Sequence, residues 1–265
     1  MVYEQRVVLF LDILGFKNII DQTEHKHQDL PEQIARLYET LTAMRRYLSE
    51  SGDQRYVPSL QLTQFSDAIL VSFREDEESQ VLQTLHKVQN LLVKLLLRGI
   101  ICRGGIAYGK LIHDGNLTFG PALIDAYETE SQAATYPRVV LNRTIIELGK
   151  KYHALDTDEK TEGAAIRNIL QKDTDDLYYV DYFPRHYQDF GLDPQQMIEY
   201  LKRLRRIIQN GLKHRKVNIR SKYGWMKNKH NQMIYRIQDG HFGLPDQGAD
   251  HKAILPFYDQ LVRIR

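Results

Sequence analysis

The sequence predicts an α+β fold, a ferredoxin-like core followed by additional C-terminal helices, and three observations predict it. An apolar run, "VVLFLDI", opens the chain as a strand. Two β-rich runs, "SLQLTQF" and "AILVSF", are separated only by Ser66 and Asp67, the spacing of a tight hairpin. Long segments with apolar residues at helical spacing lie before and after that hairpin. The order β, α, β, β, α, β is that of a split β-α-β sheet.

Residues 6–12 form the first strand, and the chain turns into helix after Gly15. The helix continues from Pro31 through "EQIARLYETLTAMRRYL". After the hairpin, "ESQVLQTLHKVQNLLVKLLLRG" is a strongly apolar helix ended by Gly99. "IICRGGIAYGKLIH" reads as a strand pair, "PALIDAYETESQAA" as a helix and "RVVLN" as a strand. Residues 154–175 are polar and read as loop, followed by a short strand in "LYYVDYF" and two helices. Two regions are expected: a core over 1–150 and an extension over 151–265 packed on it.

Composition narrows the function. At 265 residues and 31.1 kDa, the chain suffices for one generous domain or two small ones. Its single cysteine, Cys102, excludes an intrachain disulfide, and its ten histidines show no zinc spacing. No basic leader with a cleavage site opens the sequence, and no apolar run is long enough to span a bilayer, so a soluble, cytoplasmic protein without a transmembrane segment is expected. A net charge of +2 argues against an obligate DNA binder. The stretch from Leu201 to His230 is rich in Lys and Arg. Because Leu201, Leu204, Ile207, Ile208 and Leu212 recur at helical spacing, it reads as an amphipathic helix with a cationic face rather than a phosphate site.

Asp12 is a carboxylate at the end of a buried strand, where it must be solvated, paired or metal-bound. Asp67, in the hairpin turn, is its candidate partner. In a split β-α-β sheet the first strand and the hairpin are neighbours, and two facing carboxylates repel unless a divalent cation such as Mg²⁺ or Mn²⁺ sits between them. Spacing alone is better met by two independent turn residues.

"FLDILGF", "QFSDAILVSF", "CRGGIAYGKL" and "TFGPALIDAYETESQA" together resemble, in order and spacing, the class III nucleotidyl cyclase catalytic domain over roughly residues 5–145. "FSDAIL", with Ser where most cyclases carry Gly, "GPALIDAYETE" and "KYGWMKNKHNQMI" resemble most closely the pyrimidine cyclases of bacterial anti-phage Pycsar systems. The resemblance implies that Asp12, Asp67 and the carbonyl of Ile13 hold two Mn²⁺ or Mg²⁺ ions. It also implies that the amides of Ile13, Leu14, Gly15 and Phe16 cradle the β- and γ-phosphates, with Gly15 allowing the close approach. The product is then cyclic UMP, or cyclic CMP, made from a nucleoside triphosphate by a head-to-tail homodimer and read by a separate effector.

The departures from the family pattern matter. Aligned on Gly120, the positions of the usual Asn and Arg hold Ile124 and Glu128. Arg103 is the nearest cation within a motif for the missing transition-state charge, although an Arg at a strand start is more often structural; Lys222 and Lys227 are further candidates. The adenine-selecting Lys is replaced by Thr63, so UTP is expected ahead of CTP, with Tyr56 a candidate to fill the space beside a smaller base. Two other classes stay open. A GGDEF-like or polymerase palm also places carboxylates on such a core, although "FSDAIL" lacks the second acidic residue. A purine cyclase or a non-catalytic nucleotide-binding module is the other.

Overall fold

The sheet is organised around its first strand, because β1 is apolar on both faces and so belongs between neighbours. The computed structural model describes residues 2–49, 58–115, 117–243 and 255–265. In chain order the elements are β1 (Glu4–Ile13), α1 (Phe16–Asp21), a small hairpin β2 (Glu24–His25) and β3 (Gln28–Asp29), and α2 (Pro31–Ser49). There follow β4 (Gln61–Phe65), β5 (Ala68–Arg74), α3 (Gln80–Leu97), β6 (Cys102–His113), β7 (Thr118–Phe119) and α4 (Pro121–Glu128), which continues as a π-helical turn over Thr129–Ala133. Then come β8 (Val139–Leu141), α5 (Arg143–Lys151), α6 (Glu159–Ile169), β9 (Leu170–Lys172), β10 (Tyr178–Val180), a 3₁₀ turn at Asp189–Gly191, α7 (Pro194–Leu212) and α8 (Val217–Gln238).

The main sheet runs β4-β5-β1-β6-β8-β10-β9, with β7 paired to β6. All its pairings are antiparallel except β6 with β8. Along β1, Val7, Leu9, Leu11 and Ile13 alternate onto one face and are fully buried. Val8 lies on the other with Leu70, Ala107 and Leu111, under Ala122 and Ala126 of α4. Directly opposed residues of an antiparallel pair share a face. Asp12, Phe10 and Val8 of β1 therefore share theirs with Arg103, Gly105 and Ala107 of β6.

The chain forms two compact units: residues up to Leu91 with Cys102–Val180, and Leu92–Ile101 with Asp181–Arg265. Residues 151–180, grouped by the sequence with the C-terminal extension, carry the sheet's last two strands, β10 pairing with β8 and with β9.

Two expectations are corrected. Within "IICRGGIAYGKLIH", Cys102–His113 form one continuous strand, β6, rather than a strand pair, and its glycines pair in register with β1: Gly104 with Leu11, Gly105 with Phe10, Gly109 with Arg6. Residues 154–175 are not all loop, because α6 and β9 occupy 159–172. Asp158 caps α6 by accepting from the Thr161 N–H at 2.6 Å, and the helix buries Ile166 and Ile169. Its polar look arises because Glu162 and Gly163 also lie on the buried side, where the Ser79 hydroxyl donates to the Glu162 carboxylate at 2.6 Å.

In the second unit, the basic stretch is divided between α7 and α8 at Lys213–Lys216. Leu201, Leu204 and Ile208 are buried along α7, whose start is a full capping box between Asp193 and Gln196.

Candidate active site

Asp12 is the penultimate residue of β1 and sits directly across from Arg103 on β6. Arg103 Nε lies 3.5 Å from Asp12 Oδ2 and 2.5 Å from Glu130 Oε1. The Glu130 contact is held by charge rather than by an aligned hydrogen bond. Glu130 is buried, whereas Asp12 and Arg103 keep part of their side chains in solvent.

The π-helical turn that carries Glu130 is laid almost onto the strand. A Cβ on Gly105 would stand 2.5 Å from the Ala126 carbonyl oxygen and 2.9 Å from the Glu130 amide nitrogen, so only glycine permits that approach. Such π-turns recur at functional sites because one extra residue re-aims a side chain. Here it extends the stripe Ala122, Ala126, Glu130 toward the sheet.

Asp67 arrives from the other side. Phe65 pairs with Ala68, leaving Ser66 and Asp67 as a two-residue hairpin loop, and Ser66 adopts a left-handed φ of 56°. Because Ile69 of β5 pairs with Leu11 of β1, the hairpin turns beside the end of β1, and the side chains of Asp67 and Asp12 hydrogen-bond. The Asp12 carboxyl is pushed up to about 7, first by burial, then by that hydrogen bond and the negative charges of Asp67 and Glu130, with Arg103 opposing.

That state is a test of fit for a divalent cation. Among the described residues no cluster of three or more His, Cys, Asp or Glu could hold a metal ion, so the chain offers two carboxylates and backbone carbonyls. Such a donor set suits a hard cation that takes its remaining ligands from water and substrate phosphates rather than from a closed protein cage. The part-burial of Asp12 and its repulsion from Asp67, which Arg103 offsets only in part, are what a cation between the carboxylates would relieve.

The remaining sequence candidates divide. Gly15 follows β1 with φ 79° and ψ 21°, a left-handed conformation suited to glycine, and its carbonyl accepts the Asn18 amide at 2.9 Å at the start of α1, so Ile13, Leu14, Gly15 and Phe16 carry the chain from strand to helix. Thr63 lies on edge strand β4, hydrogen-bonded to His113 at 2.9 Å, and is not part of the carboxylate cluster. Tyr56 lies outside the described residues. Lys222 and Lys227 are on α8, in the second unit. Ile124, where the family pattern has Asn, is exposed on α4.

Glu130 and His113 were not singled out by the sequence analysis. Glu130 had a signal: Ala122, Ala126 and Glu130 recur every four residues, so the carboxylate shares the helix face that packs on the sheet. His113 had one too, as the next member of the alternating series Arg103, Gly105, Ala107, Gly109, Leu111 on β6.

No protein-family model matches the chain, and no curated protein matches it. Among solved structures it is similar to the crystal structure of the adenylyl cyclase CyaB from P. aeruginosa, at 13% identity and a TM-score of 0.45, over 68% of this chain and 94% of that one. A likeness of that size does not carry the functional reading, which rests on the side chains.

Proposed function

We propose that this protein is a nucleotidyl cyclase of the class III type, converting UTP to 3′,5′-cyclic UMP and pyrophosphate. The observation that carries the reading is the meeting of Asp12 and Asp67, from two different strand ends, in one part-buried carboxylate pair with Arg103 beside it. The strand order β4-β5-β1-β6, with helices α2 and α3 in the two crossovers, supports a ferredoxin-like core of the cyclase type.

In the proposed reaction the ribose 3′-oxygen forms a bond to the α-phosphorus in line with the bond to pyrophosphate that breaks, and the 3′-hydroxyl proton is released. Asp12, Asp67 and the Ile13 carbonyl would hold the divalent cations, Mn²⁺ or Mg²⁺. When bound, these neutralise triphosphate charge and make the 3′-hydroxyl more acidic. The amides of residues 13–16 bind the β- and γ-phosphates. Arg103, held in place by the buried Glu130, supplies positive charge where the pentavalent phosphorus develops negative charge. Catalysis is then positioning and electrostatics, with no covalent intermediate.

The wider assignment extends the resemblance noted in the sequence. The enzyme works in the cytoplasm as a head-to-tail homodimer with two composite sites. Its product is a second messenger read by a separate effector in anti-phage defence.

Incubation with each of the four ribonucleoside triphosphates and Mn²⁺, with mass identification of products, tests the reading. Cyclic UMP as main product is expected. Cyclic CMP as main product would change the substrate only, faster turnover of ATP or GTP would reject a pyrimidine site, and no cyclic product from any of the four would reduce the chain to a nucleotide-binding module.

A further inference from the structure

A line of buried polar groups crosses the sheet beneath Thr63, and its hydrogen bonds have a direction. Arg6, 2% exposed, is fixed by Glu4 through Nη1 and by the Ser59 and Ser72 carbonyls through Nη2. Its Nε donates to Ser72 Oγ at 2.9 Å. A guanidinium only donates, so Ser72 Oγ accepts there and must place its own proton elsewhere. Ser72 is fully buried, and the remaining partner of Oγ is His113 Nδ1 at 2.8 Å. The hydroxyl therefore donates to Nδ1, and the imidazole carries its proton on Nε2, 2.9 Å from Thr63 Oγ1. His113 is neutral, its pKa lowered to about 4 by burial and by the Arg6 charge. Thr63 Oγ1 accepts from Nε2–H, which leaves the threonine proton to be donated outward.

Thr63 is half-buried on the edge strand. It pairs with Leu70, two residues beyond the Phe65–Ala68 pair that closes the Asp67 turn, and so shares the sheet face of Leu70 and Phe10. Two residues of strand are about 7 Å, a distance that a ribose can bridge between phosphates at the carboxylates and a base at Thr63.

We propose that Arg6, Ser72 and His113 form a one-way hydrogen-bond relay that fixes the Thr63 hydroxyl as a donor to the bound base. The site then takes a pyrimidine with a keto oxygen at position 4 over one with an amino group there. The inference rests on the cyclase reading above and deepens it. His113 is a positioning residue, acting only through Thr63. Against the amino pyrimidine, a donor faces a donor and both are left unpaired in a desolvated site, the arrangement that discriminates most strongly.

The experiment measures kcat/KM for UTP and CTP separately, with Mn²⁺ and mass-identified products, in the wild type, Thr63→Val, Thr63→Ser, His113→Phe and His113→Gln. A UTP preference of about tenfold or more is expected in the wild type and in Thr63→Ser, falling to within about threefold in Thr63→Val and His113→Phe. His113→Gln, whose amide can accept from Ser72 and donate to Thr63, should retain more of the preference than His113→Phe. Thr63→Val alters only an edge-strand side chain, so the ratio stays measurable even if His113→Phe does not fold. ¹⁵N NMR of the wild-type imidazole should show the proton on Nε2. A proton on Nδ1, a wild type that cyclises CTP as fast as UTP, or an unchanged ratio in Thr63→Val would each overturn the relay while leaving the cyclase reading intact. No cyclic product from either nucleotide would instead bring down the cyclase reading, and the base selection with it.

Discussion

Among the described residues Asp12 has the most informative environment, because the Arg103 charge 3.5 Å away offsets its burial and the facing carboxylates only in part. Replacing Asp12 or Asp67 with Asn removes a proposed metal ligand and one of two repelling charges together. Cyclisation should fall by about 10³-fold or more, while the melting temperature in metal-free buffer stays equal or rises. Activity of either variant above a tenth of wild type at saturating Mn²⁺ would defeat the two-carboxylate reading. Elsewhere, single groups set opposed pH trends. His113 and His230 are buried and neutral, each lowered to about 4, so the unfolded chain takes up protons first and stability is lost as pH falls from about 6.5 toward 4. Asp181 is raised to about 6, chiefly by burial, so its stabilising protonated form is lost as pH rises through 6. Urea midpoints should therefore show His230→Gln gaining on wild type as the medium is acidified from pH 7 to 5, and Asp181→Asn losing its advantage over the same interval. Parallel pH profiles for a variant and the wild type would contradict the assignment for that residue.

At the level of elements, the turn at Ser66 and the contact at Gly105 locate the site. Ser66 takes a left-handed φ that glycine adopts without a steric penalty. Ser66→Gly should then stabilise the protein by up to about 1 kcal/mol, raising the melting temperature by roughly 2–4 °C; a lower melting temperature would show that the serine hydroxyl matters more than the dihedral. Gly105→Ala should do the reverse. Its Cβ meets backbone on both α4 and the π-helical turn, so the helix must lift from the sheet, destabilising by about 1–3 kcal/mol and carrying Glu130 away from Arg103. A variant as stable and active as the wild type would mean that the turn is not held there by contact. These two elements also mark how far the sequence could be read. The hairpin was legible because two residues between alternating runs leave one geometry, and Asp67 was legible with it. The four-residue recurrence of Ala122, Ala126 and Glu130 marks the helix face but not the contact with Arg103, because a π-helical turn changes the phase of a helix by one residue without a compositional mark. Helix α6 was missed for a related reason: its buried side includes Glu162, satisfied by Ser79 from a distant part of the chain, and that partner is invisible to periodicity.

For the whole molecule, the question is whether one chain completes a site. The face of the first unit that bears Asp12 also leaves apolar side chains in solvent. Phe65, 83% exposed, alternates with Thr63 onto that face, and on α4 Ile124 and Tyr127 are 59% and 54% exposed, Tyr127 set edge-on against Phe10 at 5.7 Å. Isolated exposed apolar residues are ordinary, but these flank a candidate active site on two sides, where a second copy would both cover them and exclude water from the reacting groups. The proposed cyclase reading gives the same expectation, a head-to-tail pair whose sites draw on both protomers. Phe65→Ser combined with Tyr127→Ser should then shift the protein from dimer to monomer in sedimentation velocity, with the carboxylate pair and the fold intact by circular dichroism. If each site draws on the partner as proposed, cyclisation should fall at least about a hundredfold in the same variant, and wild-type specific activity should decline on dilution through the dimer dissociation constant. A monomeric double serine variant with undiminished turnover would show that the carboxylates, Arg103 and Thr63 of a single chain suffice.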